Sequence, residues 1–174
     1  DVYRDFDSLK KYAKKVVLTK KNNQYILQKI DGIFRKEVTD IDVMLPIVHG
    51  HGAEDGTLQG YFETLGVPYV GSNVLGSALG QDKVVMKQVM KEENLPIVDY
   101  IWFFDTEYEM NHEEINKKIR KIGFPVVVKP ATLGSSVGIS FVKKEEELED
   151  AIAEAITYDS KIVVEKAVQN MVEV

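Results

Sequence analysis

VVVKPATLGSSVG, residues Val126 to Gly138, is the stretch on which the reading of this chain depends. A β-branched run suits a strand, and this one delivers Lys129 to a proline and then to a loop rich in glycine and serine. The strand presents the lysine rigidly, and the loop offers backbone N–H groups and the hydroxyls of Ser135 and Ser136. Gly134 and Gly138 are expected to take conformations closed to residues with a Cβ. Together these parts can grip a polyphosphate. A lysine ammonium is a compact charge that needs no single plane of approach, and main-chain dipoles neutralise without a full unit of charge. A surface turn holding one solvated lysine is the bland alternative, and the Ser-Ser pair between glycines weighs against it. The chain contains neither GxxxxGK[ST] nor GxGxxG, so this is not a Walker loop or a dinucleotide fingerprint.

Downstream, GISFV reads as the hairpin partner of that strand. Residues Glu145 to Tyr158 read as a helix with Leu148, Ala151, Ile152, Ala155 and Ile156 inward, and KIVVEKAV reads as a last strand. Glu165 on that strand can accept from an exocyclic amine, and the main chain from Lys166 to Val168 can read a purine edge. A lone glutamate at a strand end is more often simply solvated; the phosphate loop in the same half of the chain makes this one a candidate.

Upstream, Asn111 is expected to cap a helix with Glu114 at its third position and Ile115, Ile119 and Ile122 inward, ended by Gly123. LPIVDYIWFF, residues 95–104, reads as a strand. Between Asp82 and Glu93 the residues Val85, Met86, Val89 and Met90 form an apolar helical stripe, with Lys83, Lys87 and Lys91 on another face. Lys87 and Lys91 are expected to be solvated. Lys83 lies in the first turn, where the helix dipole disfavours a cation, and a bound anion would explain it.

Nearer the start, a helix is expected from about Ser8 to Lys15, and KVVLTK and QYILQ form a hairpin across the turn at Lys20–Asn23. DVMLPIV, Asp42 to Val48, reads as a buried parallel strand ending at His49. The tight loop HGHGAEDG follows, then a helix from Thr57 to Leu65 stopped by Gly66, a short strand VPYVG, and a helical segment within Ser72–Leu79. His49 is either a hydrogen-bonded structural group or a residue facing a small ligand. His51 reads as exposed or conformational, and His112 sits at a helix start without a partner; three scattered histidines without HExxH make no metal site. Glu54 and Asp55 are adjacent and do not read as an acid–base pair. Residues 1–80 are expected to form one α/β unit and residues 81–174 a second, smaller α+β unit.

Composition narrows the function classes. Of 174 residues, 44% are hydrophobic, enough for a core. Twenty-two basic against twenty-eight acidic side chains leave a charge of -6, which argues against a nucleic-acid surface. No run approaches the roughly 20 apolar residues of a membrane span. The absence of cysteine excludes disulfide and thiolate chemistry and fits a reducing cytosol. Strand-like pattern persists to VVEKAVQNMVEV, so the chain is expected to be part of a longer polypeptide.

The segment from HGHGAEDG to KEENLP, followed by GFPVVVKPATLGSSVGI, resembles the D-alanine-D-alanine ligases of the ATP-grasp superfamily, over roughly residues 42–174. The resemblance implies a partial preATP-grasp (Rossmann-like) domain followed by the small α+β central domain of the ATP-grasp fold. It implies ATP-dependent ligation of two D-alanines through an acylphosphate, for peptidoglycan precursor synthesis, with ATP and Mg2+ required, in a cytoplasmic homodimer.

By the same resemblance Lys83 and Lys129 contact the phosphates, and Ser135 and Ser136 lie in the loop over them, with Ser136 also orienting substrate. Glu165 contacts adenine, Lys166 and Val168 offer main-chain groups to the base, Glu173 reaches the ribose, and His49 lies near the first D-alanine. Two positions depart from the family pattern: Ala53 stands where HGxxGEDG has the glycine just before its glutamate, and Val172 precedes Glu173 in place of an arginine. Residues 1–41 show no recognisable counterpart of the family's amino-terminal glycine-rich loop. The acidic and asparagine metal ligands of its carboxy-terminal half are also unmatched, so a fragment inactive by itself is expected. D-alanine-D-lactate and D-alanine-D-serine ligases, or a nucleotide-binding module without catalysis, are the alternatives.

Overall fold

A computed structural model describes residues 10–30 and 36–169, in two units. One unit comprises residues 1–47 and 59–71, and the other residues 48–58 and 72–174.

The first unit carries a three-stranded antiparallel sheet in the order β1-β2-β3: β1 (Val16–Lys21), β2 (Gln24–Lys29) and β3 (Lys36–Ile41). The β1–β2 hairpin turns on Asn22 and Asn23, both at positive φ (50° and 65°), as a two-residue loop matched to strand twist demands. Asparagine tolerates that region better than most residues. Leu18 and Ile26 are the buried members of the hairpin. β3 carries no strand period in the sequence: KEVTDI has only two apolar residues, Val38 and Ile41, three positions apart, and it follows a stretch outside the described residues. The expected helix at Ser8–Lys15 begins outside them too, and inside them only Lys10 is helical.

The buried parallel strand expected at Asp42–Val48 does not form. Met44 makes one isolated parallel bridge to Tyr69, and Val43, Leu45, Ile47 and Val48 are exposed. Pro46 has no N–H to give a ladder, and a single bridge partner leaves both faces of the segment uncovered. The expected strand VPYVG is reduced to the same bridge. Helix α1 (Thr57–Leu65) forms as expected, and Gly66 ends it at φ +76°.

The second unit is built on a four-stranded antiparallel sheet in the order β4-β7-β5-β6. Its strands are β4 (Tyr100–Phe104), β5 (Val126–Pro130), β6 (Ser140–Val142) and β7 (Lys161–Lys166). Side chains alternate between faces, so Phe103, Val126, Val128, Val142, Ile162 and Val164 share one. Two helices cover that face: α4 (Asp105–Ile122) through Ile115 and Ile119, and α5 (Leu148–Ile156) through Leu148, Ala151, Ile152 and Ala155. Ile119, Ile152, Ile162, Val126, Val128 and Val164 are fully enclosed. Each such side chain contributes about 1.5–3 kcal/mol by leaving water. Truncating Ile152 to alanine is the single change best placed to break this layer.

Helix α4 starts six residues before the expected cap. Asp105 and Glu107 supply an acidic first turn, and Glu107 accepts from the Phe104 N–H at 2.8 Å. Asn111 is instead an interior kink at φ −138°, ψ 35°. Gly123 closes the helix at φ +78°.

The opposite face of the sheet carries Tyr100, Val127, Lys129, Val163 and Glu165, and this is where the chemistry lies. Helices α2 (Val74–Gln81) and α3 (Lys83–Glu92) precede β4. Val84 of α3 packs with Val163 and Ala131 on this face. The apolar stripe of α3 is therefore rotated from expectation: Val84 and Lys87 are buried, whereas Val89 is exposed.

Candidate functional site

Antiparallel pairing places Lys129 opposite Val163 and Val127 opposite Glu165. Lys129 and Glu165 are thus diagonal neighbours on one face, a separation that long side chains bridge. Lys129 Nζ lies 2.8 Å from Glu165 Oε2. On the other side Lys87 Nζ lies 3.1 Å from Glu165 Oε1, an ion pair without the angles of a hydrogen bond, so Oε1 has charge compensation but no directed donor. Glu165 is 8% exposed and Lys87 7%. The expected solvated Lys87 is therefore a buried partner of the candidate base-reading glutamate, 5.3 Å above the Tyr100 ring. Its position four residues after Lys83, one helical turn further on the same face, was the available sign.

Lys83 occupies the first turn of α3, and the structure shows what compensates it there. Its ammonium donates to the carbonyls of Pro130 (3.2 Å), Ala131 (3.3 Å) and Leu133, one acceptor for each proton. The Lys83 N–H also donates to Ala131 O at 3.0 Å. Burial pushes the Lys83 pKa down, and the nearby Lys129 ammonium pushes it further. Two lysines, Lys87 and Lys129, thus flank one carboxylate, while Lys83 is held by main-chain carbonyls at the end of β5.

The loop after β5 contains a tight turn from Gly134 to Val137, closed by the Val137 N–H donating to Gly134 O at 3.3 Å. Both central residues have positive φ, Ser135 at 53° and Ser136 at 58°, the pattern of a type I′ turn. The serines therefore take the conformation expected of Gly134, which itself has no positive φ; Gly138, at +67°, does as expected. The pair is displayed at the tip of the turn.

The loop HGHGAEDG approaches the serine turn. A Cβ added to Gly134 would sit 3.7 Å from Glu54 Oε2. Glu54 accepts from the Gly50 N–H at 2.6 Å and pairs with His49 Nδ1 at 3.4 Å, and these bonds, the Gly50 one foremost, hold its carboxyl below the ordinary range. Asp55 accepts from the Gly52 N–H (2.8 Å) and the Thr57 N–H (3.0 Å), which brings its pKa down to about 2. His51 pairs with Asp55 at 3.0 Å. His49 is exposed, held at one ring nitrogen by Glu54.

At the far end of β7 the Lys166 side chain donates to the carbonyls of Gly123 (2.8 Å) and Phe124 (3.1 Å), and its N–H to Asp99 O (2.8 Å). Val168 is exposed just beyond the strand. Glu173 lies outside the described residues. Among the described residues no group of three or more His, Asp or Glu side chains could hold a metal ion. No helix among them is long and apolar enough to cross a membrane.

A buried carboxylate flanked by two lysines thus lies on the α/β sheet whose strand β5 runs into the serine turn. A family model described as the D-ala D-ala ligase N-terminus matches residues 3–72, and one described as the D-ala D-ala ligase C-terminus matches residues 89–174. The chain belongs to the D-alanine-D-alanine ligase family.

It is 44% identical over 142 residues to a D-alanine–D-alanine ligase of Natranaerobius thermophilus, across 81% of this chain and 38% of the relative. The solved D-alanine-D-alanine ligase of Coxiella burnetii aligns over 94% of this chain and 45% of its own, at TM-score 0.77 and 30% identity. A D-Ala:D-Ser ligase of Enterococcus faecalis aligns over 90% and 43%, at TM-score 0.74 and 30% identity. The chain spans less than half the length of each.

These matches correct two expectations. The resemblance does not start at residue 42, and it is not confined to a partial preATP-grasp domain followed by a central one. Both the amino-terminal and carboxy-terminal family models match, and the likeness to solved ATP-grasp ligases runs through both parts. Residues 1–41 lack a chemical motif, yet the amino-terminal family model matches from residue 3 onward.

Proposed function

We propose that the protein joins two D-alanines to D-alanyl-D-alanine at the expense of ATP, supplying peptidoglycan precursors in the cytoplasm. The carboxylate of the first D-alanine attacks the γ-phosphorus and ADP departs. The amine of the second then attacks the acylphosphate carbon and releases phosphate. The observation that carries this reading is buried Glu165 flanked by Lys87 and Lys129, with Lys83 at the end of the strand that runs into the serine turn. Two ammoniums on one carboxylate leave a local excess of positive charge suited to a triphosphate.

In this assignment Lys129 and Lys83 meet the phosphates, Ser135 and Ser136 cover them, and Ser136 orients the reacting carboxylate. Glu165 and the main chain at Lys166 and Val168 take the adenine, and Glu173 the ribose. His49, oriented by Glu54, lies toward the first D-alanine. Covering the phosphates excludes water from a labile acylphosphate. The described residues do not fit a magnesium site, so no step is assigned to a protein-held metal. The family implies a homodimer.

Calorimetric titration of the chain with magnesium ATP tests the nucleotide site: heat and a thermal shift are expected, and the absence of both rejects it. Release of ADP together with D-alanyl-D-alanine by the protein as its gene encodes it tests the reaction. The likeness to a D-Ala:D-Ser ligase supports a second reading in which the second substrate is D-serine. Identifying the dipeptide by mass decides between them.

A further inference from the structure

We propose that Lys87 is a positioning residue that stays on Glu165 when nucleotide binds, so that Lys129 is free to transfer from Glu165 to the ligand's phosphates. The inference rests on the nucleotide-site reading. In the ligand-free arrangement Glu165 shares two ammoniums, Lys129 at 2.8 Å and Lys87 at 3.1 Å. A carboxylate only 8% exposed cannot be left without a counter-charge, so Lys129 can leave only if another cation remains.

The two lysines differ in how free they are. The Lys87 side chain is 9% exposed, lies over the Tyr100 ring and reaches Glu165 from α3. The Lys129 side chain is twice as exposed, at 19%, and sits where β5 runs into the serine loop. Lys83 cannot substitute, because its three protons are directed at the carbonyls of Pro130, Ala131 and Leu133. The arrangement therefore has one fixed cation and one transferable one. Lys87 acts on phosphate binding without touching phosphate.

Inorganic tripolyphosphate is the probe, since it engages the phosphate grip without the base. With Lys87→Met, Lys129 becomes the only counter-ion of Glu165, and tripolyphosphate affinity is expected to fall by at least about tenfold. Lys87→Arg keeps the charge and should bind within about threefold of the parent chain. The specific readout is suppression: in Lys87→Met/Glu165→Gln no anion needs compensation, so this double variant should bind tripolyphosphate as Glu165→Gln alone does. That comparison holds even where Lys87→Met alone does not fold.

A Lys87→Met chain that folds and binds like the parent rejects the transfer. So does a double variant markedly weaker than Glu165→Gln, which would mean that Lys87 acts through packing on Tyr100. If the parent chain takes neither tripolyphosphate nor magnesium ATP, the nucleotide-site reading itself fails, and the inference with it.

Discussion

Asp82 and Lys161 are joined at 2.7 Å, and the same Asp82 carboxylate caps α3 by accepting from the N–H groups of Val84 (2.9 Å) and Val85 (3.1 Å). One side chain thereby anchors the helix bearing Lys83 and Lys87 to the strand bearing Glu165. Burial raises the Asp82 pKa, but the Lys161 hydrogen bond and the two N–H groups outweigh it and the net shift is downward. Asp82→Ala loses both roles and should lower the unfolding free energy by about 1–2 kcal/mol. Asp82→Asn retains an acceptor for the cap and loses only the ion pair, at a cost of about 1 kcal/mol or less. Denaturant unfolding would show the order; equal costs would remove the cap from the account.

The two glycines of the serine loop should differ in their tolerance of a methyl group. Gly138 has φ +67°, and a Cβ there would lie 2.7 Å from Tyr158 Cδ2 and 2.8 Å from Pro130 Cγ. Gly138→Ala should destabilise by about 1–3 kcal/mol through backbone strain and overpacking. Gly134→Ala meets only Glu54 Oε2, at the ordinary contact distance of 3.7 Å, and should be near neutral in thermal unfolding.

Asp55 makes the HGHGAEDG loop acid-sensitive. Its folded pKa of about 2 lies below the ordinary value of 3.8, so it contributes stability that is present above 3.8 and is lost as the pH falls through about 2. Amide exchange at Gly52 and Thr57, whose N–H groups it accepts, should show protection lost across that window beyond the trend of the core. Asp55→Ala should show reduced protection at neutral pH and no further acid step.

Binding of a polyphosphate should be linked to proton uptake at Lys83. Its pKa is lowered chiefly by burial and by Lys129, and an arriving anion favours the charged form. In the alkaline range just below the lysine reference of 10.5, each binding event should therefore take up a fraction of a proton. Calorimetry in two buffers of different ionisation enthalpy measures it. Lys83→Arg, charged throughout, should abolish the difference.

The second unit was the more legible in the sequence. Gly123, the β-branched run to Lys129 and the five inward residues of α5 carry period and punctuation together, and the strands and the helix lie where those signals put them. Asn111 misled because a good capping residue also sits well at a helix kink, while Asp105 and Glu107 supplied the true start. At Asp42–Val48 an apolar run reads as a buried strand, but burial depends on neighbours that periodicity does not specify. Within the site, the lysine and the serine pair stood out as a local motif. The partnership of Lys87 with Glu165 did not, because it joins residues far apart in sequence and appears only when α3 is laid on the sheet.

Two ammoniums on one carboxylate also give the protein opposite electrostatic signs at two length scales. The whole chain carries a charge of -6, so an approaching polyanion is repelled at a distance and attracted only once inside the cluster. Added salt screens the distant field more than the enclosed one, so it should speed the arrival of nucleotide while doing much less to its departure.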